Sequence, residues 1–299
     1  MAKFLIDEGV PRGNIFNLVI FKHISRTWIA NLRWVEKNPV DYFVTGISYT
    51  EVGIDLNQIK GARGVILASS NQDLCQGYYT AKYVFERQKI KFVLIGLAPY
   101  SLRYDNQLAF SVCTRNFQYY LALKNFKLET DHDKILLPLL SDKVKNIFTA
   151  PSAKFVDLNF IKTKRAFNKD ILQKLIANWQ IELDNVVKTF RAETVEKNLA
   201  VLEQYIQLCL DNGACPVAVI FPFAPIIRRH YPPDVLEDFR QSIARFEKNY
   251  GLLFIDLFDM PLGYDCFYNM SHLNLKGAAA CSKVVAQKLR DHNILPPIQ

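Results

Sequence analysis

Tyr42-Phe43-Val44-Thr45-Gly46-Ile47-Ser48-Tyr49 decides how this chain is read. Tyr42 to Ile47 is a short run of strand type, and it stops on Gly-x-Ser with helix-compatible residues behind it. A junction of that kind sets the Ser48 hydroxyl at the carboxyl end of a strand. In open α/β sheets that edge is where ligands bind. If Ser48 is a nucleophile, the rest of the chain must supply a parallel sheet, a base and donors for an oxyanion.

Downstream of this stretch the chain alternates. Glu51 to Ile59 reads as mostly helical, weakened by Gly53, and Gly64 to Ala68 is the continuous apolar run of a buried parallel strand. Asp73 to Gln88 is a helix with Leu74, Tyr78, Ala81 and Phe85 on one side, and Lys91 to Ile95 is a third strand closed by Gly96. Strand and helix alternating at this spacing predict βαβ units, with right-handed crossovers placing the helices on the sheet faces. The pattern resumes near the C-terminus. Asp211-Asn212-Gly213 caps a helix, Pro216 to Phe221 is a fourth strand, and Asp234 to Tyr250 is a helix. Leu252 to Ile255 is a fifth strand, and a last helix runs from Asn274 to about Arg290. The expectation is an α/β fold built on a doubly wound sheet of five parallel strands.

Two segments lie outside the alternation. Residues 1–40 read as a helical extension of two pieces joined at Gly9-Val10-Pro11, leaving 41–299 as the α/β domain. Phe21, Ile24, Trp28, Leu32 and Val35 recur at steps of three and four, which is one apolar helical stripe. Packing on the sheet is its expected fate, with a membrane surface as the alternative. Between strands 3 and 4, about 106–212, lies a stretch too long for a simple crossover. It holds a helical pattern over Phe117 to Phe126, a basic irregular segment over 130–168, and long helices near 169–190 and 193–211. A helical insertion over the functional edge of the sheet is expected there, where lids and specificity elements are commonly placed.

Composition narrows the classes. The chain has 299 residues, half of them apolar, and a net charge of +8. That is enough apolar chain for a large core and too balanced for disorder. No apolar run is long enough to span a bilayer, and Met1-Ala-Lys-Phe-Leu-Ile-Asp-Glu-Gly lacks the apolar core of a signal peptide. A cytoplasmic protein is the expectation, with envelope association left open. Cys75, Cys113, Cys209, Cys215, Cys266 and Cys281 form neither C-x-x-C pairs nor His-partnered metal spacings, so buried thiols are expected, with no metal and no cofactor. The densest basic patch comprises Lys154, Lys162, Lys164, Arg165 and Lys169. It reads as a solvated face, or as a contact for an anionic partner. No nucleic-acid-binding signature accompanies it.

The second decisive stretch is Asn269-Met270-Ser271-His272-Leu273-Asn274. Leu273 can anchor the loop in the core while Asn274 caps the helix, so His272 is held by short tethers, as a positioned base requires. Tyr49, Tyr78, Tyr100 and Tyr104 flank the proposed edge with faces suited to sugar rings, and Arg228, Arg229 and His230 follow the fourth strand, where they could meet an anionic substrate.

With these residues in place, the chain resembles the SGNH (GDSL-like) hydrolase superfamily, in particular its branch around DltD and bacterial glycan O-acyl-transfer proteins. Gly46-Ile47-Ser48 matches the nucleophile block and Asn269 to Asn274 the terminal Asp-x-x-His block. Ala68-Ser69-Ser70-Asn71-Gln72-Asp73-Leu74 stands at the second block, and Phe92 to Tyr104 at the third strand and its loop. The likeness spans about 41–105 and 214–291. It implies a flavodoxin-like strand order and a serine-dependent hydrolase or O-acyltransferase acting on an acyl ester of a small molecule, a carbohydrate or a cell-envelope glycan. Ser48 would be the nucleophile, His272 the base, and the Ser48 amide one oxyanion donor. Ala68 and Asn71 would be further oxyanion candidates, and Tyr49, Tyr100 and Arg228 would bind substrate. The chain departs from the family where Asn269 replaces the usual Asp, with Asp259 and Asp265 as nearby substitutes. Ala68 and Asn71 stand where Gly is usual. The third block carries Pro99, Tyr100 and Ser101 instead of Gly-x-Asn-Asp. These departures favour, as the alternative, a degenerate member that binds a glycan or a protein partner.

Overall fold

The computed structural model describes residues 25–105, 110–123, 125–126, 168–187 and 194–297. Five strands, β1 (Tyr42–Gly46), β2 (Gly64–Ile66), β3 (Phe92–Leu97), β4 (Cys215–Ile220) and β5 (Leu253–Asp256), form one open sheet. Its order is β2-β1-β3-β4-β5 and every pairing is parallel. The expected doubly wound α/β fold is therefore the observed one. Phe43, Val44, Val93, Leu94, Val217 and Ala218 are almost wholly buried. Strands covered on both faces have no polar side to alternate, which is why they read as continuous apolar runs. Tyr42 and Phe92 are paired in register and their rings stack at 4.5 Å, joining the starts of β1 and β3.

Helices flank this sheet. They are α1 (Arg26–Val35), α2 (Ser48–Gly53), α3 (Leu74–Phe85), α4 (Phe110–Ala122), α5 (Lys169–Ala177), α6 (Trp179–Val187), α7 (Val195–Asp211), α8 (Pro225–His230), α9 (Pro233–Tyr250) and α10 (Leu275–Asp291). Right-handed crossovers in this strand order put α2 and α10 on one face and α3, α7 and α9 on the other, as their mutual packing shows. Trp28, Leu32 and Val35 of α1 enter the same core as the strands, and the Asn31 amide donates to the Ile66 carbonyl at 3.0 Å, tying α1 to the end of β2. Phe21 and Ile24, the start of the predicted stripe, lie outside the described residues.

Several helices differ in extent from the sequence expectation. The span Glu51 to Ile59 is split: α2 ends at Gly53, Ile54 is extended, and Asp55 accepts from the Asn57 amide to start a separate 3-10 turn. The pattern near 169–190 divides into α5 and α6 at Asn178, whose side chain donates to the Lys174 carbonyl. The segment after β4 that carries Arg228, Arg229 and His230 contains α8; Pro225 sits in its first turn, where a missing N–H costs nothing. The Trp179 ring of α6 stacks on His230 of α8 at 4.2 Å, so part of the insertion rests beside the sheet's carboxyl edge.

Candidate active site

The turn from β1 into α2 is set by backbone geometry. Gly46 has φ +130, a conformation L side chains rarely adopt. Ile47 is extended, and its carbonyl accepts from the Thr50 and Glu51 amides to open α2. Ser48 is thereby the first helical residue, with its N–H among the N-terminal donors that no helix satisfies internally. The helix lies unusually close to the sheet: a Cβ on Gly96, the β3 partner of Gly46, would sit 1.8 Å from Thr50 Oγ1. From the other side, buried Gln72 accepts from the Gly46 amide at 2.6 Å and donates to the Leu67 carbonyl at 3.0 Å and the Tyr119 hydroxyl at 3.1 Å. Ser70 donates to Glu51 of α2 at 3.1 Å. The loop after β2 thus holds the turn that presents Ser48.

The histidine loop is as closely tethered. Phe267 and Leu273 form an antiparallel bridge, Tyr268 N donates to His272 O, and Asn274 N donates to Cys266 O. Asn274 caps α10 by accepting from Gly277 N at 3.1 Å, while its amide donates to the Asp265 carbonyl at 2.7 Å. Met270 and Leu273 are buried, and Ala224 N at the start of α8 donates to Met270 O. Asn269 Oδ1 accepts from the backbone amides of Ser271 at 3.0 Å and His272 at 2.8 Å. Two N–H donors facing that atom identify it as the oxygen of the amide. The same oxygen lies 3.1 Å from His272 Nδ1, so Nδ1 must carry the proton to bond it. His272 Nε2 is left with a lone pair, 2.8 Å from Ser48 Oγ. Ser48, His272 and Asn269 thus form one hydrogen-bonded relay across 224 positions of sequence.

Aromatic rings enclose the imidazole. Tyr49 lies 4.8 Å from it and Tyr268 5.4 Å, centroid to centroid. Tyr49 also meets Phe223 edge-on at 5.2 Å and Tyr100 at 6.3 Å. Burial pushes the Tyr100 phenol well above its ordinary range, and the neighbouring Tyr49, to which it is hydrogen-bonded, pushes it further. Burial does the same to Tyr231, whose hydroxyl is enclosed and has no hydrogen-bond partner among the described residues. This cluster is neutral and lies beside the relay. A narrow cleft lined by Gly46, Ile47, Asp73, Leu97, Ser101 and Tyr104 adjoins the β1 turn.

The other candidate residues occupy distinct places. Ala68 is buried just past β2, and the amides on either side of it, Leu67 and Ser69, bond β1 carbonyls. Asn71 has φ 60, the left-handed backbone that favours glycine and that Asn tolerates best among other residues. Arg228 donates to the Met260 carbonyl. Asp259 pairs with Arg240 at 2.7 Å and Asp265 with Lys276, while Asn269 Oδ1 and Ser271 Oγ each lie 3.1 Å from Nδ1. In the third block, Ser101 accepts from the Ala98 amide, and buried Asn198 of α7 donates to the carbonyls of Leu102 and Tyr104 at 2.9 Å each. Gln72, Asn198 and Ser271 were not singled out by sequence. Ser271 and Gln72 stand inside quoted blocks, but the bond of Gln72 to the Gly46 amide and those of Asn198 to the carbonyls of Leu102 and Tyr104 span 26 or more residues, which no local pattern marks. Of the basic patch, Lys154, Lys162, Lys164 and Arg165 lie outside the described residues, and only the backbone of Lys169 is described.

Among the described residues no group of His, Cys, Asp and Glu is arranged to hold a metal ion, and no helix is long and apolar enough to cross a membrane. No protein-family model matches the chain, and no curated protein matches it.

Proposed function

We propose that the chain is a serine-dependent enzyme of the SGNH type that hydrolyses or transfers an acyl ester. The observation that carries this reading is the 2.8 Å contact between Ser48 Oγ and a His272 whose Nδ1 is held by Asn269. Ser48 Oγ attacks the acyl carbonyl carbon while Nε2 takes its proton. The C–O bond to the alcohol then breaks, and the departing oxygen takes that proton from Nε2. Water or an acceptor hydroxyl next attacks the acyl-serine, giving its proton to Nε2, which returns it to Ser48 Oγ. The Ser48 amide, in the first turn of α2, is the proposed oxyanion donor from the nucleophile block; losing one such donor typically costs about 10²–10³ in rate. A carbohydrate or cell-envelope glycan as the alcohol rests on the family resemblance, aided by the tyrosines around the relay.

Asn269 supports a second reading. An amide oxygen fixes the tautomer but offers no charge to an imidazolium, so a non-catalytic glycan- or partner-binding protein on the same fold is the alternative. A fluorophosphonate probe distinguishes them. Covalent labelling of the wild type that is lost in Ser48→Ala, together with turnover of short acyl esters, supports the enzyme. Folded protein that neither labels nor turns over esters supports the binding protein.

A further inference from the structure

Asn269 Oδ1 is an overcommitted acceptor. It receives two backbone N–H groups at 3.0 and 2.8 Å, and a carbonyl oxygen has two lone pairs. The proton on His272 Nδ1 is a third claimant at 3.1 Å. An aspartate in that position would offer a second carboxylate oxygen. An asparagine offers an NH₂ group instead, which only donates. At the same 3.1 Å from Nδ1, however, lies the hydroxyl of Ser271, a nearly buried residue. Its contact with Asn269 Oδ1, at 3.4 Å, is the longest on that oxygen and adds little to its load, and its own oxygen lone pairs face Nδ1–H.

We propose that Ser271 is a positioning residue: its hydroxyl oxygen takes the place of the missing carboxylate oxygen, sharing the Nδ1 proton of His272 with Asn269 so that Nε2 stays unprotonated toward Ser48. The catalytic part of this inference rests on the acyl-transfer reading above; the tautomeric part does not. Tyr49 and Tyr268 lie against the imidazole, so ring rotation is already restricted by packing. What packing cannot decide is which nitrogen carries the proton, because both tautomers have the same shape. That choice falls to the acceptors on Nδ1. Removing one of two acceptors lets the proton populate Nε2, where it faces Ser48 Oγ and blocks proton abstraction.

The experiment is ¹⁵N spectroscopy of histidine-labelled full-length protein, with the His272 signals assigned by His272→Gln among the five histidines of the chain. The wild type and Ser271→Thr are expected to show predominantly the Nδ1–H form of the neutral ring. Ser271→Ala is expected to show a mixture of tautomers, as is Ser271→Cys, a near-isostere with a poor acceptor that serves should the alanine variant not fold. On a short acyl ester, Ser271→Ala is expected to lower kcat about tenfold, as befits one lost hydrogen bond, with KM unchanged. In an Asn269→Asp background the same change is expected to cost less than about twofold, because the carboxylate supplies the second acceptor. An unaltered tautomer in both Ser271→Ala and Ser271→Cys overturns the proposal, as does an equal loss of kcat in both backgrounds. If no variant turns over esters, the acyl-transfer reading fails, and the tautomer measurement still decides the role of Ser271.

Discussion

Gly46 and Gly96 are register partners across β1 and β3, and the volume vacated by their missing side chains is occupied by Thr50 of α2. Gly96→Ala would put a Cβ 2.4 Å from Thr50 Cβ, an atom that no side-chain rotation moves. The helix must then lift from the sheet and carry Ser48 with it. Overpacking of this kind costs about 1–3 kcal/mol. Urea unfolding is expected to show that loss, and fluorophosphonate labelling of Ser48 in the still-folded variant is expected to slow.

Asn269→Asp is expected to raise turnover on short acyl esters. Replacing Asp by Asn in a triad costs roughly 10⁴ where the wrong tautomer results. Here the Nδ1 proton already meets two acceptor oxygens, Asn269 Oδ1 and Ser271 Oγ at 3.1 Å each, so an aspartate chiefly adds the charge. The gain in kcat is therefore expected to be at least about tenfold and well short of that limit. Steady-state kinetics check it; an unchanged kcat means the acid is not what limits this relay.

Gln72→Leu removes three hydrogen bonds at once and leaves the Gly46 amide and the Leu67 carbonyl buried without those partners. Each unsatisfied buried group costs about 1–3 kcal/mol. A total loss of about 2–5 kcal/mol in chemical denaturation is expected. The variant is also expected to label more slowly at Ser48, since the Gly46 turn has lost the side chain that braces it.

Asp41 gives the fold a pH dependence with a definite sign. Burial would raise its carboxyl pKa, but the Arg63 amide at 2.7 Å and the Lys91 ammonium at 2.8 Å outweigh burial, and the pKa is lowered. A carboxyl held lower in the folded state stabilises the fold above its unfolded value and loses that contribution as pH falls through the folded one. The difference in unfolding free energy between wild type and Asp41→Asn is therefore expected to be constant from about pH 5 to 7 and to close below about pH 4. Denaturant titrations at stepped pH measure it.

What was legible in the sequence is what physical chemistry writes locally. Val93 to Ile95 and Val217 to Ile220 are continuous apolar runs because both sheet faces are covered, and the parallel sheet followed from them. Ser48 and His272 were legible because each stands in a short block whose neighbours dictate a turn or a cap. Asn269 was legible as the residue three positions before His272, although the direction of its amide was not. That direction depends on the backbone amides of residues 271 and 272, which only a folded loop brings to one atom. The α8 helix was hidden because Pro225 reads as a breaker unless its place in the first turn is known. Gln72 was hidden because its partners, Gly46, Leu67 and Tyr119, come from three separate parts of the chain.

The contacts on the two nitrogens of His272 differ in their sequence range. Asn269 and Ser271, which meet His272 Nδ1, lie within three residues of it, while Ser48, which meets Nε2, lies 224 residues away. The Nδ1 side of the imidazole is therefore satisfied inside the loop that leads into α10. Ser48 is brought there by the packing of α2 on α10, and just past α2 the Asp55 amide donates to Ser282 Oγ at 2.8 Å. The two sides of this imidazole are thus held by different means: Nδ1 by the loop's own short-range contacts, and Nε2 by a packing contact between segments 224 residues apart.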